Sequence, residues 1–245
     1  VMGQLFSISR FLHDSFKNMS SGDFSTLKKN YAKGVELRGK TIGIVGFGRI
    51  GQSLAAYALG AGMKVIAIER RARIQPITLK IGGQTIEIPV KVVDNLHEVL
   101  QQLDYISIHV PKQTDGSAVI GAKEFALMKK GVRLVNAARG GVIDEQALLA
   151  ALENGTVAAA ALDVYDNEPN PLKELINHPK IACTPHIGAA TLEAQDRIGE
   201  ELAELIIDFS KEAWCRKTLD YKKSEGEPSL FFLTIDKQLL GLFYN

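Results

Sequence analysis

Apolar and polar positions change period several times along the chain, and each change marks an element. Thr41-Ile42-Gly43-Ile44-Val45 is an apolar run too short for a helix and suited to a strand buried on both faces. The segment Gly46-Phe47-Gly48-Arg49-Ile50-Gly51 ends it, and residues 50 to about 61 then carry a helical pattern closed by Gly62. Residues 63–68 form a second apolar run with Glu69 at its end. Ile77, Leu79 and Ile81, then Ile86 and Ile88, alternate with mostly polar residues around Gly82-Gly83. That is a β-hairpin signature, inserted between the second strand and the next helix.

Further on, the pattern predicts a helix over residues 95–102 and a strand over 105–110 that stops at Pro111. Another strand covers 132–136, a helix capped by Asp144 runs to about 153, and strands follow at 158–162 and 181–184. Residues 191 to about 212 read as a long helix with Ile198, Leu202, Leu205 and Ile206 on it. At the other end, residues 1 to about 19 read as a helix, and residues 20–39 as a polar, glycine-containing connector. Strands alternating with helices, with no repeat period, predict an α/β fold of the doubly wound, Rossmann type with a parallel sheet.

Composition narrows the class. The 245 residues suffice for one large core, or one core plus pieces of a second. Apolar residues make up 46% and charged residues 23%, which argues against disorder. A net charge of +1 leaves no electrostatic footprint for nucleic acid. Two cysteines, Cys183 and Cys215, are too few for a disulfide framework or a cysteine-rich zinc site, so a reduced, cytoplasmic protein with no metal is expected. No apolar run approaches the roughly 20 residues that span a bilayer. Arg10, His13 and Asp14 interrupt the opening amphipathic stretch, so it is not a secretory signal but a helix whose beginning is absent.

Candidate chemistry sits at the ends of the predicted strands. In a G-x-G-x-x-G turn the first glycine bends the chain, the second lets backbone approach a pyrophosphate, and the third lets helix meet strand. Gly46, Gly48 and Gly51 fill these places, with a strand before and a helix after. The amides and dipole of the helix start then favour a phosphate pair. Glu69, 18 residues after Gly51, is placed to accept hydrogen bonds from ribose hydroxyls and to repel a 2′-phosphate, which favours NAD. Arg70 and Arg71 carry the opposite reading, a grip on that phosphate, or are simply a solvated turn.

Arg139, in Asn136-Ala137-Ala138-Arg139-Gly140-Gly141, follows a strand, where its guanidinium fork can bind a carboxylate in a bidentate pair. His186, in Thr184-Pro185-His186-Ile187-Gly188, follows another and can exchange a proton near neutral pH. Glu168 is suited to hold the other ring nitrogen. These three are the catalytic candidates for a 2-keto or 2-hydroxy acid.

The series Leu37-Arg38-Gly39-Lys40-Thr41, the glycine turn, His109-Val110-Pro111, residues 136–145, 161–169 and 184–189 resembles the D-isomer-specific 2-hydroxyacid dehydrogenases from about residue 1 to 212. The resemblance implies that Arg139 binds the substrate carboxylate, Glu168 supports the histidine and His186 is the acid/base. It implies that Arg49 and Ile50 contact the pyrophosphate, and that Glu69 takes the ribose. Asp163 would bind the nicotinamide carboxamide, and Ala137, Ala138, Gly188 and Ala189 would lie near the ring. His109, Val110 and Pro111 would skirt the cofactor, although His109 also reads as a plain strand-end histidine.

The implied reaction is NAD-dependent oxidation or reduction of a small D-2-hydroxy acid, with D-3-phosphoglycerate foremost and glyoxylate or hydroxypyruvate as alternatives. A cofactor-sensing co-repressor without turnover is the alternative of another class. Homodimerisation through the nucleotide-binding domain is implied, with residues 116–130 as a candidate contact, and no nucleic acid or membrane partner. The family also builds a flavodoxin-like substrate domain from residues that would precede this chain. Residues 1–34 and 191–213 therefore read as hinge helices flanking an NAD-binding domain at 35–190, with little to pack on. Residues 214–245 form an atypical tail without a physical account.

Overall fold

The computed structural model describes the backbone to Tyr221 and side chains to residue 211. The chain divides into two units, residues 1–188 and those from 189 onward. The second, as far as it is described, is a 30-residue helix, α8 (Leu192–Tyr221), longer than the pattern predicts. The rest of the atypical tail lies outside the described residues. Among those described, no helix is long and apolar enough to cross a membrane.

The first unit is built on an eight-stranded sheet. Its strands are β1 (Thr41–Val45), β2 (Lys64–Ile68), β3 (Arg73–Ile81), β4 (Gln84–Val93), β5 (Tyr105–Ile108), β6 (Val132–Asn136), β7 (Val157–Leu162) and β8 (Ile181–Cys183), in the order β3-β4-β2-β1-β5-β6-β7-β8. All pairings are parallel except β3 with β4. Successive residues of a strand enter opposite layers, so both faces need apolar partners. Ile42, Ile44, Tyr105, Val135, Ala159, Ala161 and Ala182 join the core on one face. Ile106, Ile108, Leu134, Ala160, Leu162 and Ile181 join the other.

On the first face lie α1 (Met2–Arg10) and α4 (Arg49–Gly60). Leu5 and Ile8 of α1 are fully buried there, each stabilising the seat by roughly 1.5–3 kcal/mol. The small side chains Ala159 and Ala161 of β7 leave room for that approach. The expectation that this helix has little to pack on is therefore overturned, since the sheet itself covers it. On the other face, α6 (Glu145–Glu153) buries Leu148, Ala151 and Leu152, with Asp144 accepting from the Ala147 amide at 2.9 Å as its N-cap. The short helices α5 (Ala122–Leu127) and α7 (Lys173–Ile176) add Phe125 and Leu175 to the same core.

Several predicted elements change. The N-terminal helix breaks at Phe11, whose φ of 55° is left-handed, and resumes as α2 (Leu12–Asn18). The Phe11 ring packs 6.1 Å from the ring of Tyr31, whose hydroxyl donates to Asp14 at 2.8 Å. Tyr31 ends α3 (Phe24–Tyr31), a helix inside the stretch read as a connector. It buries no residue, although Phe24, Leu27 and Tyr31 recur at helical spacing; Asp23 caps it through the Thr26 amide at 2.8 Å. The helix predicted over 95–102 shrinks to one 3₁₀ turn at Leu100–Gln102. Before it, the Asn95 side-chain Oδ1 accepts from the His97 amide at 3.1 Å, a local bond that competes with helix. The hairpin forms as predicted, with Gly82 and Gly83 both at positive φ between Ile81 and Gln84. It is more than an insertion, because β4 continues the parallel sheet beside β2.

The seam between β1 and β5 fixes the glycine turn. Gly46 has φ 92°, and a Cβ there would lie 2.5 Å from the His109 carbonyl oxygen and 2.8 Å from Val110 Cγ1. A Cβ on Gly51 would run into the Gly46 carbonyl. Gly60, on the same helix, has open space around it. Gly51→Ala is therefore expected to destabilise by about 1–3 kcal/mol or more, while Gly60→Ala is neutral or stabilising by up to ~1 kcal/mol. Denaturant midpoints of the two variants check this contrast.

His109 donates its amide to Val45 at 2.7 Å and pairs its Nε2 with the Ser107 hydroxyl at 2.8 Å. Burial pushes its pKa down to about 4, so the ring is neutral at physiological pH. The unfolded chain takes up that proton near pH ~6.5, before the folded state does, so stability falls as pH drops from there toward about 4. Between pH 7 and 4.5, His109→Gln is expected to lessen the wild-type loss of unfolding free energy by roughly 2–3 kcal/mol. Coincident pH profiles in denaturant titrations would contradict the burial argument.

Candidate active site

Parallel register aligns Ile68, Val45, Ile108, Asn136, Leu162 and Cys183 in one row at the carboxyl ends of β2, β1, β5, β6, β7 and β8. The next residue of each strand is then Glu69, Gly46, His109, Ala137, Asp163 or Thr184. The crevice outside the strand ends, where the order reverses around β1, is where open α/β sheets bind ligands. Sequence candidates scattered over more than a hundred residues thus share one edge.

Around β1 the edge fits a dinucleotide. Gly48 is the N-cap of α4 with no side chain capping the helix, and a Cβ at that position would meet nothing within 4 Å. Arg49 and Ile50, the first residues of the helix, are exposed. The helix start is therefore open to an anion that the dipole and backbone amides favour. The Glu69 carboxylate accepts from the Phe47 amide at 2.8 Å and the Arg70 amide at 3.3 Å, which holds it over the turn where ribose hydroxyls can meet it. Gly46, Gly48, Arg49, Ile50, Gly51, Glu69, His109 and Val110 all belong to this half, with Pro111 exposed at its rim.

After β6, the buried Asn136 shapes the arginine loop. Its side-chain Nδ2 donates to the Arg139 carbonyl at 3.0 Å, and its Oδ1 accepts from the Ala138 amide at 3.1 Å. Gly140 packs against the Tyr165 carbonyl so closely that a Cβ would overlap it. The Arg139 side chain is exposed, with Nη1 donating to the Ala138 carbonyl at 2.7 Å and the rest of its fork open to solvent. A guanidinium held this way can take a planar carboxylate.

After β7 and β8 lie Glu168 and His186. His186 Nδ1 is 2.8 Å from Glu168 Oε2, and Glu168 Oε1 accepts from the Tyr165 amide at 2.9 Å. The bond from His186 holds the Glu168 carboxyl below its ordinary range, so it stays ionised and requires a hydrogen on Nδ1. The neutral ring then carries its lone pair on Nε2, and the histidine side chain is 52% exposed. A cavity of about 400 Å³, lined in part by Tyr165, Pro169, Ile176 and Cys183, opens beside the pair.

His186 itself has φ 56°, a left-handed conformation that costs a non-glycine residue roughly 1–2 kcal/mol and must be held by its surroundings. Asp163, 1% exposed, supplies the hold: its carboxylate accepts from the Thr184 hydroxyl and from the Ile187 and Gly188 amides. A Cβ on Gly188 would lie 2.8 Å from Asp163 Oδ2 and 3.8 Å from Ala137 Cβ, so these three candidates adjoin. Asp163, expected to face a carboxamide, is engaged by three protein donors. Ala189 opens the second unit. Sequence reading missed the organising roles of Asn136, Thr184 and Tyr165. All three stood inside quoted motifs, but only tertiary partners give them a task.

Comparison with known proteins agrees with this geometry. Residues 2–188 match the family model described as D-isomer specific 2-hydroxyacid dehydrogenase, NAD binding domain. A D-3-phosphoglycerate dehydrogenase of Bacillus subtilis (strain 168) is 43% identical over 183 residues, 73% of this chain and 32% of that protein. A hydroxypyruvate reductase of Thermotoga maritima is 40% identical over 208 residues, 84% of this chain and 63% of that protein. Among solved structures, a glyoxylate reductase from Paecilomyes thermophila superposes with a TM-score of 0.66 at 34% identity, covering 80% of this chain and 56% of that one. The chain spans about a third of the length of the curated D-3-phosphoglycerate dehydrogenases it matches. With a matching family model across most of its length, the chain belongs to the D-isomer specific 2-hydroxyacid dehydrogenases, and residues 2–188 are their NAD-binding domain.

Proposed function

We propose that the protein containing this chain oxidises D-3-phosphoglycerate to 3-phosphohydroxypyruvate with NAD, or runs the reverse reduction, in serine biosynthesis in the cytoplasm. The observation that carries the reaction type is the 2.8 Å pairing of His186 Nδ1 with an ionised Glu168, on the edge that also presents Arg139. The substrate is supported by the 43% identity to the Bacillus subtilis relative.

Arg139 takes the substrate carboxylate in a fork and fixes C2 with its hydroxyl toward His186. As the hydroxyl proton moves to Nε2, the C2–H bond breaks and C2 becomes a ketone; bound nicotinamide supplies the site that accepts the hydride. Glu168, hydrogen-bonded to Nδ1, stabilises the imidazolium so formed and keeps the ring in the tautomer that can accept a proton. In the reduction, Nε2–H returns the proton to the carbonyl oxygen. A second reading, hydroxypyruvate or glyoxylate reduction, is favoured by the comparable 40% identity to the Thermotoga maritima relative over a larger share of that protein.

In the whole protein, His186→Ala is expected to lower kcat by roughly 10²- to 10⁴-fold while NADH still binds, as followed by fluorescence titration. Undiminished turnover would remove the acid/base assignment. Comparing kcat/KM for D-3-phosphoglycerate with that for D-glycerate and glyoxylate decides between the two substrate readings. A homodimer through the first unit belongs to the same proposal. Leu127 in the stretch 116–130, and Phe16 and Phe24 on α2 and α3, supply exposed apolar surface for it. Light scattering at micromolar concentration is expected to give twice the monomer mass.

A further inference from the structure

We propose that Thr184, backed by Gln4 on α1, is a positioning residue for His186, acting through the Asp163 carboxylate that clamps the chain on the far side of the histidine. The proposal deepens the reading of His186 as acid/base and rests on it.

The bonds around Thr184 have a forced direction. A carboxylate only accepts, so the Thr184 hydroxyl hydrogen is committed to Asp163 Oδ1, at 2.5 Å. The same oxygen accepts from the Ile187 amide at 3.0 Å, and Oδ2 accepts from the Gly188 amide at 2.7 Å. The clamp therefore grips the loop before and after His186. Pro185 has no N–H to offer, so the hydroxyl of Thr184 is the donor that secures the near side. Thr184 is itself fixed at both backbone groups: its amide donates to the Leu162 carbonyl at 2.9 Å, and its carbonyl accepts from the Tyr165 hydroxyl at 3.0 Å.

With its hydrogen committed, the Thr184 oxygen can only accept from a third group. Gln4 Nε2 lies 3.4 Å away and points its N–H at that oxygen. Gln4 Oε1 is buried and, among the described residues, has no hydrogen-bond partner. A flipped amide would set oxygen against oxygen at Thr184, so the amide keeps its N–H end there. Gln4 stands next to Leu5, which is buried in the sheet core, and one turn further the Ser9 hydroxyl bonds the Leu5 carbonyl at 2.6 Å and the Tyr105 hydroxyl at 2.8 Å. The chain of donors thus runs from the seat of α1 through Thr184 to Asp163 and the two amides beyond His186. Where α1 sits sets how firmly the left-handed histidine is held, and with it the aim of Nε2.

The test uses the whole protein with Thr184→Val, which keeps the shape and loses the hydroxyl, Thr184→Ser, which keeps the hydroxyl, and Gln4→Leu. Thr184→Val is expected to lower kcat by about 10- to 100-fold, with NADH affinity within about threefold of wild type. Thr184→Ser is expected to stay within about threefold of wild-type kcat, and Gln4→Leu to lose about three- to tenfold. In parallel, ¹⁵N-histidine NMR across a pH series reads the tautomer and titration of His186. Thr184→Val and Gln4→Leu are expected to displace them, and Thr184→Ser to leave them in place.

Thr184→Val turning over within twofold of wild type would overturn the proposal. So would Thr184→Ser as slow as Thr184→Val, or NADH binding lost in step with kcat. If Thr184→Val fails to fold, Gln4→Leu against wild type decides by the same readings. If the wild type turns over no D-2-hydroxy acid, the functional reading fails instead. The positioning role is then settled by NMR, where an unmoved His186 signal in Gln4→Leu and Thr184→Val overturns it.

Discussion

The site depends on parallel hydrogen bonding that brings six strands to a common finish. Because Ile68, Val45, Ile108, Asn136, Leu162 and Cys183 lie in one register row, the residues that follow them emerge at one level of one edge. A slip of one residue in any pair would turn that strand's side chains to the opposite layer. The alternation between the two cores forbids such a slip, since Ala159 and Ala161 must face α1 while Ala160 and Leu162 face the other side. Core packing therefore sets where the chemistry sits.

Two carboxylates at that edge do different work because their surroundings differ. Asp163 is buried and surrounded by donors, so its charge serves to shape the backbone of the histidine loop. Glu168 is more open, shares one oxygen with the Tyr165 amide and gives the other to the imidazole, where it sets a tautomer. His109, by contrast, is held neutral by burial under the glycine turn, which suits a packing role there. The same residue types thus differ in partner and exposure according to solvent access.

Helix α1 joins these two levels. Its apolar face completes one core of the sheet, and its Gln4 side chain reaches the donors that hold the histidine loop. Reading it only as a hinge element understated it, because the residues that receive it, Ala159 and Ala161, lie more than a hundred positions away.

The sequence by itself determined the strand runs, the glycine turn, the Gly82-Gly83 hairpin and the Asp144 cap, because each depends on local spacing or backbone freedom. It also singled out Arg139, Glu168 and His186, whose residue types at strand ends limit the chemistry they can do. Tertiary structure alone decided the rest. The short α3 buries no residue and is tied to the fold through Tyr31, which meets Phe11 and Asp14, the 95–102 segment yields to an Asn95 side-chain bond, and β4 becomes a sheet strand only when β2 is beside it. The clamp of Asp163, Thr184 and Gln4 joins residues up to 180 positions apart, and no local pattern can encode a hydrogen bond whose partners meet only after the sheet has formed.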